Sequence, residues 1–312
     1  MFKKVFAIGA SLALTAGILA GCGTKDTSTA STKPAQQGYV PKSLTVQFVP
    51  SQSADTLEAK AKPLEKLLGD KLGIPVKVSV STDYNTIIEA MASKQVDVGF
   101  LPPTAYVLAH DKKAANVALQ ALRYGVDDTT GQPTKDLVDY YKSEFLVKKD
   151  SPINDIKDLK GKKIGYQNVT SSAGYVWPAA VLQDAGIDPL KDVQPVTLKG
   201  HDQAIISLLN GDVDAAVVFQ DARNTVKKDY PQVFDQTKII KFTEKIPNDT
   251  VSVRSDMDQA WVEKIQQAFI DLGKDPESQK IIRDIYSHEG YVKSDDSKFN
   301  IVREYNTKVK TK

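Results

Sequence analysis

Val96-Asp97-Val98-Gly99-Phe100-Leu101 and Val213-Asp214-Ala215-Ala216-Val217-Val218-Phe219 read as two versions of one element. Each follows a helix-like stretch, Asn85 to Ser93 in the first case and Ser207 to Asn210 in the second, through a polar turn. Each then continues in small or apolar residues without alternation, the pattern of a parallel strand buried on both faces. Upstream, Leu44 to Val49, a helix-like Ala54 to Leu72 and Val76 to Val80 supply the βαβ rhythm in which such a strand sits.

Two copies imply two lobes, and the extended runs Glu144 to Lys148 and Asn248 to Arg254 are the candidates for the passages between them. The expected fold is α/β, with two Rossmann-like lobes joined by two crossover strands. Lobe I takes residues 44–143 and 248–312, and lobe II takes 144–247; a single larger α/β domain is the alternative. In such a fold the ligand lies between the lobes, outside the carboxyl ends of the strands.

The chain starts differently from its body. Lys3 and Lys4 precede an apolar run from Val5 to Leu19, which ends in Leu19-Ala20-Gly21-Cys22. A cationic start, a short apolar core and small residues before a cysteine read as a signal peptide over 1–21, with Cys22 lipidated after cleavage. Residues 22–43 follow as the lipidated cysteine and a Thr, Ser, Lys, Pro and Gln-rich tether with little to bury. Cys22 is the single cysteine, which excludes an intrachain disulfide and thiol chemistry in the folded part.

The 312 residues carry 41 Lys and Arg against 39 Asp and Glu, and loss of Lys3 and Lys4 with the leader leaves 39 against 39. A neutral mature chain lacks the basic excess that nucleic acid or an anionic membrane surface attracts. An anion site would have to be local, and no nucleic-acid partner is expected.

Tyr106, in Pro102-Pro103-Thr104-Ala105-Tyr106 after the first paired strand, either presents a hydroxyl to a ligand or packs. Gly165-Tyr166-Gln167-Asn168-Val169-Thr170-Ser171-Ser172-Ala173-Gly174-Tyr175 clusters hydroxyls where a helix should begin, before Ala179 to Ala185. Free N–H groups and the positive end of the helix dipole suit an oxyanion there, although Thr170, Ser171 and Ser172 also suit a plain cap. His201, in Lys199-Gly200-His201-Asp202, opens another helix as a second donor or a structural residue. His110 and His288 show no metal spacing with it, so no metal and no other cofactor are expected.

Asp221 and Asp249 are either turn aspartates or acids at the site. Beside an anion they make sense if the ligand retains a proton or carries an ammonium group, since ionised carboxylates only accept hydrogen bonds.

Taken together, Val96-Asp97-Val98-Gly99-Phe100 leading to Pro103-Thr104-Ala105-Tyr106, Thr170-Ser171-Ser172-Ala173-Gly174-Tyr175, Gly200-His201-Asp202 with Asn210-Gly211-Asp212-Val213-Asp214, and Ile246-Pro247-Asn248-Asp249 resemble the phosphonate-binding component of phosphonate and phosphite importers. The resemblance covers nearly all of the mature chain. It implies a type II periplasmic-binding-protein fold, with Tyr106, Ser171, Ser172 and His201 on the phosphorus oxygens and Asp221 and Asp249 closing the pocket. Where an aromatic contact is expected after the first strand this chain has Phe48-Val49-Pro50-Ser51-Gln52, so Ser51 and Gln52 are expected to hydrogen-bond instead.

The function implied is an extracytoplasmic, membrane-anchored, monomeric carrier that delivers a small phosphorus oxyanion to the permease and ATPase of an ABC importer. A carrier for a sulfonate or a vitamin precursor on the same fold is the alternative. An extracellular phosphate-ester hydrolase is the rival of another class, but no nucleophile elbow, metal cluster or phosphate-cradling loop accompanies Ser171 and His201, and no catalytic residue is assigned.

Overall fold

The computed structural model describes residues 38–310. The signal segment, Cys22 and most of the expected tether lie outside the described residues. The chain is attached to the body from Gly38 rather than from residue 44. Tyr39 exchanges backbone hydrogen bonds with Asp256 and Asp258 at 2.7 and 2.9 Å, and its ring lies under the Arg254 guanidinium at 3.7 Å. Among the described residues no helix is long and apolar enough to cross a membrane.

Two sheets carry the fold. The larger runs in the order Gly290–Lys293, Ala115–Val126, Thr250–Arg254, Val98–Leu101, Leu44–Phe48, Val76–Val80, with Pro133–Val138 paired onto Ala115–Val126. The smaller runs Thr237–Phe242, Ser143–Lys148, Ala215–Phe219, Lys163–Tyr166, Gln194–Thr197. The two Val-Asp strands take equivalent places in them. Val98–Leu101 has Leu44–Phe48 parallel on one side and Thr250–Arg254 antiparallel on the other. Ala215–Phe219 has Lys163–Tyr166 parallel and Ser143–Lys148 antiparallel.

The paired aspartates hold these strands in register. Asp97 Oδ2 accepts from the Thr45 backbone N–H and hydroxyl, both at 2.8 Å, and its other oxygen meets Arg254 at 3.2 Å. Asp214 Oδ2 accepts from the Lys163 N–H at 2.8 Å. In both lobes the acid satisfies a donor at the start of the neighbouring parallel strand, where the ladder has not yet begun.

The extended runs expected to cross between lobes, Glu144 to Lys148 and Asn248 to Arg254, differ from the passages observed. They fall largely within two sheet strands, Ser143–Lys148 and Thr250–Arg254, whose apolar residues are buried on both faces. The passages come just before them, at Tyr140–Tyr141 and Ile246–Pro247, which pair antiparallel as a two-stranded ribbon.

The lobes are closed on each other. Ser172 Oγ accepts from the Thr104 N–H at 3.0 Å and donates to Thr104 Oγ1 at 2.9 Å. His201 N–H donates to the Ser51 carbonyl at 2.9 Å, and Asn168 Nδ2 to Asp83 at 2.6 Å. The C-terminal helix Asn300–Lys310 adds a strap, stacking Tyr305 on Trp177 at 4.3 Å and 8°.

Candidate functional site

Between the sheets lies a cavity of about 40 Å³, room for about three water molecules. Its floor on the larger-sheet side comes from strand ends and helix starts: Val49, Ser51 and Gln52 after the first strand, Pro102 after Val98–Leu101, and Arg123 on Ala115–Val126. Ser171 and Ala173, His201 and Phe219 face them from the smaller sheet. Tyr84, Tyr141, Asp249 and Tyr286 complete the wall.

The Ser171 side takes its shape from one irregular turn. Residues Ser172–Val176 form a π-helical turn that feeds the helix Trp177–Asp184, and Ser171 caps it, its Oγ accepting from the Gly174 N–H at 3.1 Å. Gly174 is needed there because a Cβ would lie 2.2 Å from Gln167 Cγ. Gln167 in turn binds both backbone groups of Gly200 at 2.9 Å, and so ties the start of the helix His201–Asn210 to the same turn. Gly200 adopts φ +102, a conformation open to glycine and strained for other residues.

Two buried polar atoms at the cavity have no partner: Ser51 Oγ and His201 Nδ1. Burial pulls the His201 pKa from 6.5 down to about 3, so the imidazole is neutral and offers one N–H. Burial also pushes the hydroxyls of Tyr84, Tyr141 and Tyr286 well above the ordinary phenol range, leaving neutral O–H groups. That of Tyr286 is already spent on the Val49 carbonyl at 2.6 Å.

The one guanidinium in the wall, Arg123, lies 5.5 and 5.7 Å from the ring centres of Tyr141 and Phe219 and donates to Asp221 Oδ1 at 2.6 Å. Asp249 supplies an acceptor; its Oδ2 lies 3.5 Å from Nε2 of buried His288, whose Nδ1 is 3.2 Å from the Tyr291 hydroxyl. Burial lowers the His288 pKa despite the neighbouring Asp249 carboxylate.

Of the residues expected at the site, Ser51, Gln52, Ser171, His201 and Asp249 come together here. The Gln52 side chain is committed elsewhere, to the Ile285 carbonyl and Lys60. Tyr106 is turned away: its hydroxyl donates to Asp296 at 2.8 Å and its ring packs edge-on against Phe299. It sits inside the helix Pro103–Asp111, whose turn carries the side chain toward the C-terminal segment rather than the cleft. Thr170 closes a local turn on Asn168 Oδ1, Ser172 spends its hydroxyl on Thr104, and Asp221 stands behind Arg123 rather than in the wall.

Arg123, Tyr84, Tyr141 and Tyr286 went unrecognised in the sequence. A signal existed for two of them. Arg123 is a cation directly following the strand-like Ala118-Leu119-Gln120-Ala121-Leu122, and Tyr84 follows Asp83, which caps its helix by accepting from Asn85 at 2.7 Å.

Comparison with known proteins bears on what this cavity serves. Residues 46–299 match the family described as the phosphonate periplasmic substrate-binding protein of ABC transporters. The chain belongs to this family. As a phosphonate-binding-family member it is 30% identical over 224 residues to the phosphate-import protein PhnD of Mycolicibacterium smegmatis, a match spanning 69% of this chain and 65% of that one. It is 24% identical over 253 residues to the phosphonates-binding periplasmic protein of Escherichia coli, covering 80% and 72%. The fold matches that of PhnD1 from Prochlorococcus marinus in complex with methylphosphonate, with a TM-score of 0.73, 18% identity and coverage of 86% and 99%. The family is one of extracytoplasmic substrate-binding components, and the two-lobed type II architecture described above is its fold.

Proposed function

We propose that this family member captures a compact phosphorus oxyanion (phosphite, methylphosphonate or phosphate) without catalysis, and passes it to a permease with its ATPase. The observation that carries the reading is the cavity of about 40 Å³ between the two sheets, in which buried Ser51 Oγ and His201 Nδ1 lack partners and Asp249 lines the wall as an acceptor. Unpartnered buried polar groups, here a hydroxyl and an imidazole nitrogen able to carry the ring's one proton, are costly unless a ligand satisfies them. Phosphorus oxyanions, whose last proton leaves near neutral pH, can meet the donors with their oxygens while one P–OH donates to Asp249. Sulfate and sulfonates hold no such proton, and Asp249 would repel them.

With the passages at Tyr140–Tyr141 and Ile246–Pro247, lobe I would comprise 38–139 and 248–310 and lobe II 142–245, closing on the ligand as a monomer. The leader and Cys22 support anchoring to the membrane through a lipid.

Calorimetry with phosphite, methylphosphonate, phosphate and sulfate tests the reading. Tight binding of at least one phosphorus ligand and none of sulfate is expected, with His201→Ala and Asp249→Ala each costing about 1–3 kcal/mol. Heat from no phosphorus ligand would end the assignment, and tight sulfate binding would remove the role given to Asp249. Turnover of a chromogenic phosphate ester would favour the hydrolase instead. A mass spectrum of the mature N-terminus checks lipidation of Cys22.

A further inference from the structure

An acid near an anion site can receive the ammonium group of a zwitterionic ligand only if it is free to do so. Asp221 is not. Its Oδ1 holds Arg123 Nη2 at 2.6 Å, with side-chain exposures of 8% and 6%. Arg123 lines the cavity and Asp221 does not, so the guanidinium stands between the ligand and that carboxylate. The pair also spans the cleft, since Arg123 lies on Ala115–Val126 of the larger sheet and Asp221 follows Ala215–Phe219 of the smaller.

We propose that the Arg123–Asp221 pair makes this receptor selective for tail-less phosphorus oxyanions and against phosphonates that carry an ammonium group; the inference rests on the phosphorus-oxyanion reading above. An ammonium tail could reach Asp221 only by displacing Arg123, which would strand a buried guanidinium against Tyr141 and Phe219. Volume acts in the same direction. About 40 Å³ is filled by a head group of a few heavy atoms. The remaining acid of the wall, Asp249, is taken up by the head group itself.

The experiment compares methylphosphonate, ethylphosphonate and 2-aminoethylphosphonate by calorimetry on the full-length folded protein and on Arg123→Met. In the wild type, methylphosphonate is expected to bind at least about 100-fold more tightly than 2-aminoethylphosphonate. The amine should bring no gain over ethylphosphonate, which controls for length. In Arg123→Met, 2-aminoethylphosphonate should gain at least about tenfold relative to ethylphosphonate, because Asp221 is then free to pair with the ammonium.

Tighter wild-type binding of 2-aminoethylphosphonate than of ethylphosphonate would overturn the proposal, and this comparison holds whether or not Arg123→Met folds. An unchanged ratio in a folded Arg123→Met would overturn it as well. Heat from none of the three ligands would instead remove the phosphorus assignment on which the selectivity rests.

Discussion

Acidification of the ligand-free protein should cost stability through one side chain, and His201→Gln should abolish that part of the cost. His201 is buried at the cavity with Nδ1 unpartnered, and burial lowers its pKa from 6.5 to about 3. In the unfolded chain the imidazole takes up its proton near pH 6.5, whereas in the folded chain it does not until about pH 3. Unfolding therefore absorbs protons in that window. The stability that comes from keeping His201 neutral is complete above pH 6.5 and is lost as pH falls toward 3. At about pH 5, one and a half units below the unfolded pKa, the loss is about 2 kcal/mol at 1.36 kcal/mol per unit. That corresponds to a fall in melting temperature of about 4–8 °C.

Thermal melts of wild type and His201→Gln at about pH 7.5 and about pH 5 read this directly, the glutamine keeping a polar side chain that does not titrate. Any contribution from buried His288 is common to both proteins and cancels in the comparison. Saturating methylphosphonate should shrink the wild-type loss, because an anion beside the ring favours the imidazolium. Equal acid sensitivity in the two proteins would refute the assignment of His201 as a buried neutral donor.

Ser172→Ala removes both hydrogen bonds to Thr104 and leaves the Thr104 N–H without its partner; a loss of about 1–3 kcal/mol from the closed state is expected, seen in calorimetry as roughly tenfold weaker phosphite binding. Unchanged affinity would mean that these bonds carry nothing in closure. Glu144 is fully buried, with Arg223 Nε at 3.6 Å, and burial raises its pKa well above 4.5 against the opposing pull of Arg223. A raised carboxyl pKa costs stability as pH rises above 4.5, so Glu144→Gln should gain on wild type by up to about 1.4 kcal/mol per pH unit. Urea unfolding from about pH 5 to 8 checks it, and a gap that does not widen with pH would show that Glu144 is ionised throughout.

Much of the architecture was legible in local pattern. The repeated Val-Asp strands announced two equivalent sheets, since burial on both faces leaves an unbroken apolar run, and their carboxyl ends do point at the cavity through Pro102 and Phe219. Helix-start chemistry located Ser171 and His201 for the same reason: caps and N-termini leave local signatures in the sequence. Asp97 and Asp214 stood out by repetition, and they prove to anchor the starts of parallel strands.

What pattern could not decide was which side chains share a space. Tyr106 and Pro102 belong to one helix start, yet Pro102 faces the cavity while the turn of the helix carries Tyr106 to Asp296, 190 residues further along the chain. Asp221 was visible as an acid near a strand end, but its meaning depends on Arg123, 98 residues away in the other sheet. Periodicity and capping are properties of neighbouring residues and can be read from the chain. Charge pairing across a closed cleft is a property of the tertiary structure, because only folding brings a guanidinium and a carboxylate out of water and within 2.6 Å of each other.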